Sequence, residues 1–218
     1  MSSSFSTELQ QSAEHIWTRI FDHPFLKEIQ SGTLPLEKFR YYAIQDYHYL
    51  EGFARTVSIA LSKAPDTPTL KKLALRVNTP VERPLHVRMF ELLEITVEEA
   101  ERVGPSPTNR AYMDHMVATA SLGGVGEAAA ALLPCPWTYH ELGSRLLLPD
   151  HPVYQHWVEA YRSGLLERST AAWRELVDRF GAEGGQSARD AMRRAFLTSS
   201  RYEFLFWTMA HDMERWPV

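Results

Sequence analysis

The 218-residue chain holds a single cysteine, Cys135, between Pro134 and Pro136 in a run, Glu127 to Gly143, that otherwise patterns as a helix. An ionised thiol is a strong nucleophile, so this is the first group whose chemistry has to be weighed. The two prolines remove backbone N–H groups and crowd the preceding turn, so the helix must bend or be interrupted beside the thiol. With the helix resumed after Pro136, Cys135 and Tyr139 share one face, four residues apart. Taken alone, the thiol reads first as a small buried hydrophobe and second as a nucleophile.

Two acids interrupt faces that are otherwise apolar or aromatic. Asp46 lies four residues after Tyr42 and three before Tyr49, on a helical stripe that continues to Phe53. A carboxylate there must be satisfied or functional: a tyrosine hydroxyl or an arginine can hold it in a core network, or it can bind a ligand. Glu203 shares a stripe with Ser199, Phe206 and Trp207. Burial would raise its pKa into the range useful for proton transfer, and the opposing reading turns it to solvent or to Arg201. Glu82 and His86, four apart, could place two metal ligands on one helix face. No second matched pair accompanies them, and a solvated or hydrogen-bonded pair is the favoured reading.

Positioning these groups falls to helices. Apolar residues recur at helical spacing from Phe5 to Phe21, and a second helix is expected from Pro24 to Ser31, closed by Gly32. A long helix follows from about Leu36 to Lys63. The run from Thr67 toward Leu93 contains Pro80 and Pro84 and is expected to kink or split there. Thr96 and Ser106, the latter followed by Pro107, start the next two helices. The cysteine-bearing helix, one from Pro152 to Ser163, one from Leu165 to Phe180 and a last from Ser187 to about Met213 complete the chain. No strand alternation or hairpin dipeptide is present, so the expectation is an all-α chain of about nine helices in one domain, residues 1–218.

Composition narrows the class. With 44% hydrophobic residues the chain can build one large core. Its 23 Lys and Arg against 27 Asp and Glu, with no long run of one sign, offer no electrostatic footprint for nucleic acid or an anionic membrane. The longest apolar run falls far short of the ~20 residues that span a bilayer. One cysteine and the lack of a leader pattern lead to a cytoplasmic expectation. The aromatic residues cluster, which suits stacking surfaces in a pocket as well as a helical core.

Seven motifs in order then carry a family resemblance: HPF at 23–25, SGTLP at 31–35, FRYYAIQDYHYL at 39–50, PSPT at 105–108, LLPCPWTYHELG at 132–143, HPVYQHW at 151–157 and SSRYEFLFW at 199–207. From about residue 5 to its end the chain resembles the TenA family, the thiaminase II or aminopyrimidine aminohydrolase group. The resemblance implies a haem-oxygenase-like all-helical bundle without haem, assembled as a homotetramer. It implies hydrolysis of 4-amino-5-aminomethyl-2-methylpyrimidine, and in many members of thiamin, with no metal or organic cofactor. Matched position by position, Cys135 is the nucleophile, Asp46 the pyrimidine-binding aspartate and Glu203 the proton donor. Tyr49, Tyr112, Tyr139, Tyr161 and Phe206 match pocket residues.

Four positions depart from the family pattern. Pro136 and His48 stand where many members have tyrosine, and the doubled proline bears on where the sulfur points. Pro80 and Pro84 fall in what is commonly an unbroken helix, which leaves Glu82 outside the catalytic set. The competing readings are a haem-oxygenase-like oxidase or di-metal oxygenase, which needs several facing histidine and carboxylate ligands, and a non-catalytic pyrimidine-binding regulator, which needs no nucleophile.

Overall fold

The structure is a computed structural model that describes residues 3–78 and 82–218. Among the described residues all regular structure is helical, as expected, in twelve helices: α1 (Phe5–Phe21), α2 (Pro24–Ser31), α3 (Leu36–Ser62), α4 (Thr67–Asn78), α5 (Arg83–Leu93), α6 (Val97–Val103), α7 (Pro107–Leu122), α8 (Val125–Leu132), α9 (Pro134–Arg145), α10 (Pro152–Arg162), α11 (Glu167–Glu183) and α12 (Gln186–Asp212). None of them is long and apolar enough to cross a membrane.

The sequence signals that start and stop these helices act through identifiable bonds. Ser4, Thr96 and Ser106 each accept a backbone N–H of the following first turn, from Thr7, Glu99 and Asn109. Asp66 does the same for Thr69 at 2.8 Å. Gly32, at φ +71°, closes α2 in the left-handed conformation that costs glycine nothing.

The count exceeds the expected nine or so in part because prolines divide two runs. Between α4 and α5 the predicted break at Pro80 lies outside the described residues, while Pro84 occupies the first turn of α5. Between α8 and α9 the division falls at Leu133, which keeps helical torsions (φ −62°, ψ −36°). Pro134 and Pro136 therefore sit in the first turn of α9, where a missing N–H leaves no intrahelical bond unmade.

Packing explains why α8 can run through the middle of the molecule. Ala128, Ala129, Ala130 and Ala131 are all fully buried, and their small side chains let α8 lie close against α7, α11 and α12. The two 27-residue helices α3 and α12 also touch each other, and α3 packs along α7. Buried Trp17, Trp157, Trp173 and Trp207 fill the core among these helices. At Gly143 of α9 a side chain would fall on the Tyr161 carbonyl of α10, so this glycine sets how closely the two helices approach.

The C-terminal residues return along α3 and α7. The Glu214 carboxylate accepts from the Thr108 backbone N–H at 2.8 Å and from its hydroxyl at 2.9 Å, at the positive end of α7. Tyr41 of α3 donates to the Glu214 carbonyl, and the Trp216 indole donates to the Pro105 carbonyl at 3.1 Å.

Candidate active site

Cys135 stands in the first turn of α9, 6% exposed, on the wall of a cavity of about 50 Å³. Leu50 and Phe53 of α3, Pro136, Trp173 and Glu82 share that wall. Burial holds the thiol well above its ordinary pKa, and the charges of Glu203 and Glu82 push the same way, while the Tyr49 hydroxyl opposes them. A thiol so placed needs a proton acceptor before it can attack.

Glu203, projecting from α12, is 3% exposed. Tyr112 of α7 donates to its Oε1 at 2.6 Å. The Thr138 hydroxyl lies 3.5 Å from Oε2 and 3.2 Å from the Cys135 carbonyl, linking the acid to the turn that carries the sulfur. Burial, aided by Asp46 and Glu82, pushes Glu203 up to about 8 against the pull of the Tyr112 and Thr138 hydrogen bonds. It is therefore mostly a carboxylic acid at neutrality, with a proton to give. Arg201, the partner considered from sequence, is exposed.

The partner of Asp46 is neither a tyrosine nor an arginine. Asp46 Oδ2 lies 2.6 Å from Nε2 of His86, which reaches it from α5, and both side chains are buried. Oδ1 has no hydrogen bond among the described residues, which leaves an acceptor for a ligand N–H. His86 Nδ1 is also without a partner there. The Glu82 and His86 pair thus divides: His86 serves Asp46, and Glu82 accepts from the Tyr161 hydroxyl at 2.7 Å. Among the described residues no three His, Cys, Asp or Glu side chains converge as a metal-ligand set.

Glu82, left outside the catalytic set from sequence, faces the same space. As a residue it is half-buried, with its carboxyl turned inward onto the cavity that Cys135 lines. Desolvation, then Asp46, pushes it up to about 7 against Tyr161 and His86.

Aromatic rings surround the group. Tyr49 and Tyr112 lie 5.0 Å apart between centroids, Tyr139 and Tyr161 5.1 Å, and Tyr49 and Phe206 5.7 Å. Tyr42 and Tyr139 share a hydroxyl contact at 3.1 Å. Burial raises the phenols of Tyr49, Tyr112, Tyr139 and Tyr161 well above 10, so they remain neutral donors. All eight residues singled out from sequence are buried here. His86, Glu82 and Thr138 join them, and of these only the Glu82 and His86 spacing left a sequence signal. His48, one of the departures, bonds the Ala100 carbonyl at 2.9 Å on α6.

Comparison with known proteins gives the chain relatives over nearly its whole length. The sequence profile of the TENA/THI-4/PQQC family matches residues 10–213. An aminopyrimidine aminohydrolase of Bacillus subtilis is 37% identical over 216 residues, covering 97% of this chain and 92% of that protein. One from Halalkalibacterium halodurans is 32% identical over 219 residues, 98% of each. A solved structure described as a TenA homologue protein from P. horikoshii superposes with a TM-score of 0.84 at 35% identity, over 96% of this chain and 99% of that one.

Proposed function

The chain belongs to the TENA/THI-4/PQQC family, and we propose that it is an aminopyrimidine aminohydrolase of the thiaminase II type. It is a hydrolase whose substrate is a small pyrimidine, 4-amino-5-aminomethyl-2-methylpyrimidine in the first instance, converted to the 5-hydroxymethyl compound and ammonia. One observation carries the reading. A buried thiol, a carboxyl that keeps its proton at neutrality and a carboxylate with a free acceptor oxygen lie within electrostatic reach of one another, ringed by neutral phenols.

Each group suits one part of the reaction. Asp46, held by His86, accepts from the exocyclic amine of the pyrimidine and fixes the ring, while the tyrosines enclose its faces. Glu203 gives its proton to a ring nitrogen as the Cys135 sulfur bonds to a ring carbon. The thiol's own proton replaces the one that Glu203 gives, so S–H adds across a ring carbon–nitrogen bond. With aromaticity broken, the nitrogen lone pair expels the protonated amine from the exocyclic carbon as ammonia. Water adds at that carbon and loses a proton, the C–S bond breaks, and Glu203 takes the ring-nitrogen proton as it returns its own to the departing sulfur.

The test is direct: purified protein without added metal should release ammonia from the aminomethyl pyrimidine and form the hydroxymethyl pyrimidine in equal amount. Failure to form either product would remove the proposal. Parallel assays with thiamin and the formylaminomethyl compound rank the substrates. The same reading takes residues 1–218 as one domain acting in thiamin salvage in the cytoplasm, as a homotetramer. Sedimentation equilibrium should return four times the 25.0 kDa chain mass, and a monomer or dimer mass would refute that assembly.

A further inference from the structure

The roles given to Cys135, Glu203 and Asp46 leave the second half of the reaction without a base. Water has to lose a proton as its oxygen bonds to the exocyclic carbon, and Glu203, still protonated near neutrality, is poised to give a proton rather than take one. Asp46 is taken up on one oxygen by His86 and, in the proposed binding, on the other by the exocyclic amine. The space beside the sulfur supplies the missing group. At about 50 Å³ the cavity has room for water. Of the three acids near the thiol, Glu82 is the one on its wall.

Resting on the function proposed above, we infer that Glu82 is the catalytic base that activates the hydrolytic water, with Tyr161 as the positioning residue that holds its carboxylate. Tyr161 donates to Oε1 alone, and Oε2 carries no hydrogen bond among the described residues. In the step itself the amine has already left and the sulfur is still bonded to the ring. Water forms its C–O bond at the exocyclic carbon, and the displaced electron pair returns to the ring nitrogen. One water proton goes to Glu82, which releases it to solvent, where the departing ammonia takes one up. The ring then expels the thiolate.

The setting of Glu82 suits a base working near neutrality. Asp46 and Tyr42 of α3, His86 of α5, Cys135 of α9, Tyr161 of α10 and Glu203 of α12 face it, with Arg76 of α4 on the same cavity wall. Burial and Asp46 outweigh Tyr161 and His86 and place its titration at about 7. A carboxyl with that pKa is half ionised at working pH.

Rapid-quench measurements on Glu82→Gln, with the aminomethyl pyrimidine as substrate, separate this role from others. The variant should release ammonia in a burst equal to the enzyme concentration, then turn over ~10²-fold more slowly than the parent. The rise of kcat through pH 7 should disappear. Glu82→Asp, which keeps a carboxylate, should recover activity to within ~10-fold of the parent. Unchanged steady-state turnover in Glu82→Gln, or loss of the burst together with turnover while Glu82→Asp is equally inactive, would overturn the assignment. Absence of ammonia from the parent protein would instead refute the underlying function.

Discussion

Cys135→Ser lowers kcat for ammonia release by ~10³-fold or more and leaves the far-ultraviolet spectrum and the cooperative melt unchanged. The argument rests on what the substitution spares. Serine keeps the size and place of the side chain in the first turn of α9, and with it the bond from Thr138 to the residue 135 carbonyl, so packing costs are small. What changes is the attacking atom. A hydroxyl ionises several units higher than a thiol, and the cavity already penalises an anion at this point through burial and the charges of Glu203 and Glu82. Cys135→Ala removes the nucleophile altogether and should be as inactive. Turnover within tenfold of the parent in either variant would show that no covalent bond to this residue is on the reaction path.

Glu203→Gln is the second large effect, a loss of ~10²–10⁴-fold in kcat/KM, because the amide cannot give a proton to the ring nitrogen. It carries two further signatures. The parent should lose activity as pH rises through about 8, where Glu203 gives up its proton. Since Glu82 must be ionised and titrates at about 7, the full profile is a narrow bell between those values, and the glutamine variant should lack its alkaline limb. The other signature is in stability. Glu203 has its folded pKa raised from 4.5, so its contribution is fully present below the unfolded value and is lost as pH rises through about 8. At pH 9 the parent carries the cost of a buried carboxylate, on the order of 2–4 kcal/mol, that the glutamine variant avoids. Glu203→Gln should therefore gain on the parent progressively as pH rises from 4.5 to about 8, with the full difference at pH 9 and little at pH 4. A basic limb that survives the substitution, or a melting difference that does not grow with pH, would mean that another group titrates there.

Much of this arrangement can be read along the chain because it is local. Ser106 and Pro107 announce α7, Gly32 announces the end of α2, and a carboxylate on an aromatic stripe marks Asp46 and Glu203 as groups needing explanation. What they pair with is another matter. His86 is 40 residues from Asp46 and Tyr112 is 91 from Glu203, and no periodicity within one helix encodes a contact with another. Glu82 was hidden for a more instructive reason. Pro84 suggests a damaged helix, whereas its place in the first turn of α5 makes Glu82 the residue before the helix, from which its carboxyl reaches Tyr161 on α10. The doubled proline beside Cys135 misleads in the same way. Leu133 stays helical, both prolines take first-turn positions, and the thiol remains on the cavity wall.

The returning C-terminal segment acts on the site from a distance. α12 presents Glu203 to Tyr112 of α7 at one level and, just past its own end, ties Glu214 to Thr108 at the start of the same helix. Two rods pinned at two heights cannot swivel about either pin, so the register between the proton donor and its hydroxyl is fixed by leverage as well as by local fit. The last few residues thus brace the active site from outside it, and a chain ending before Glu214 would keep every group of the site while losing the second pin.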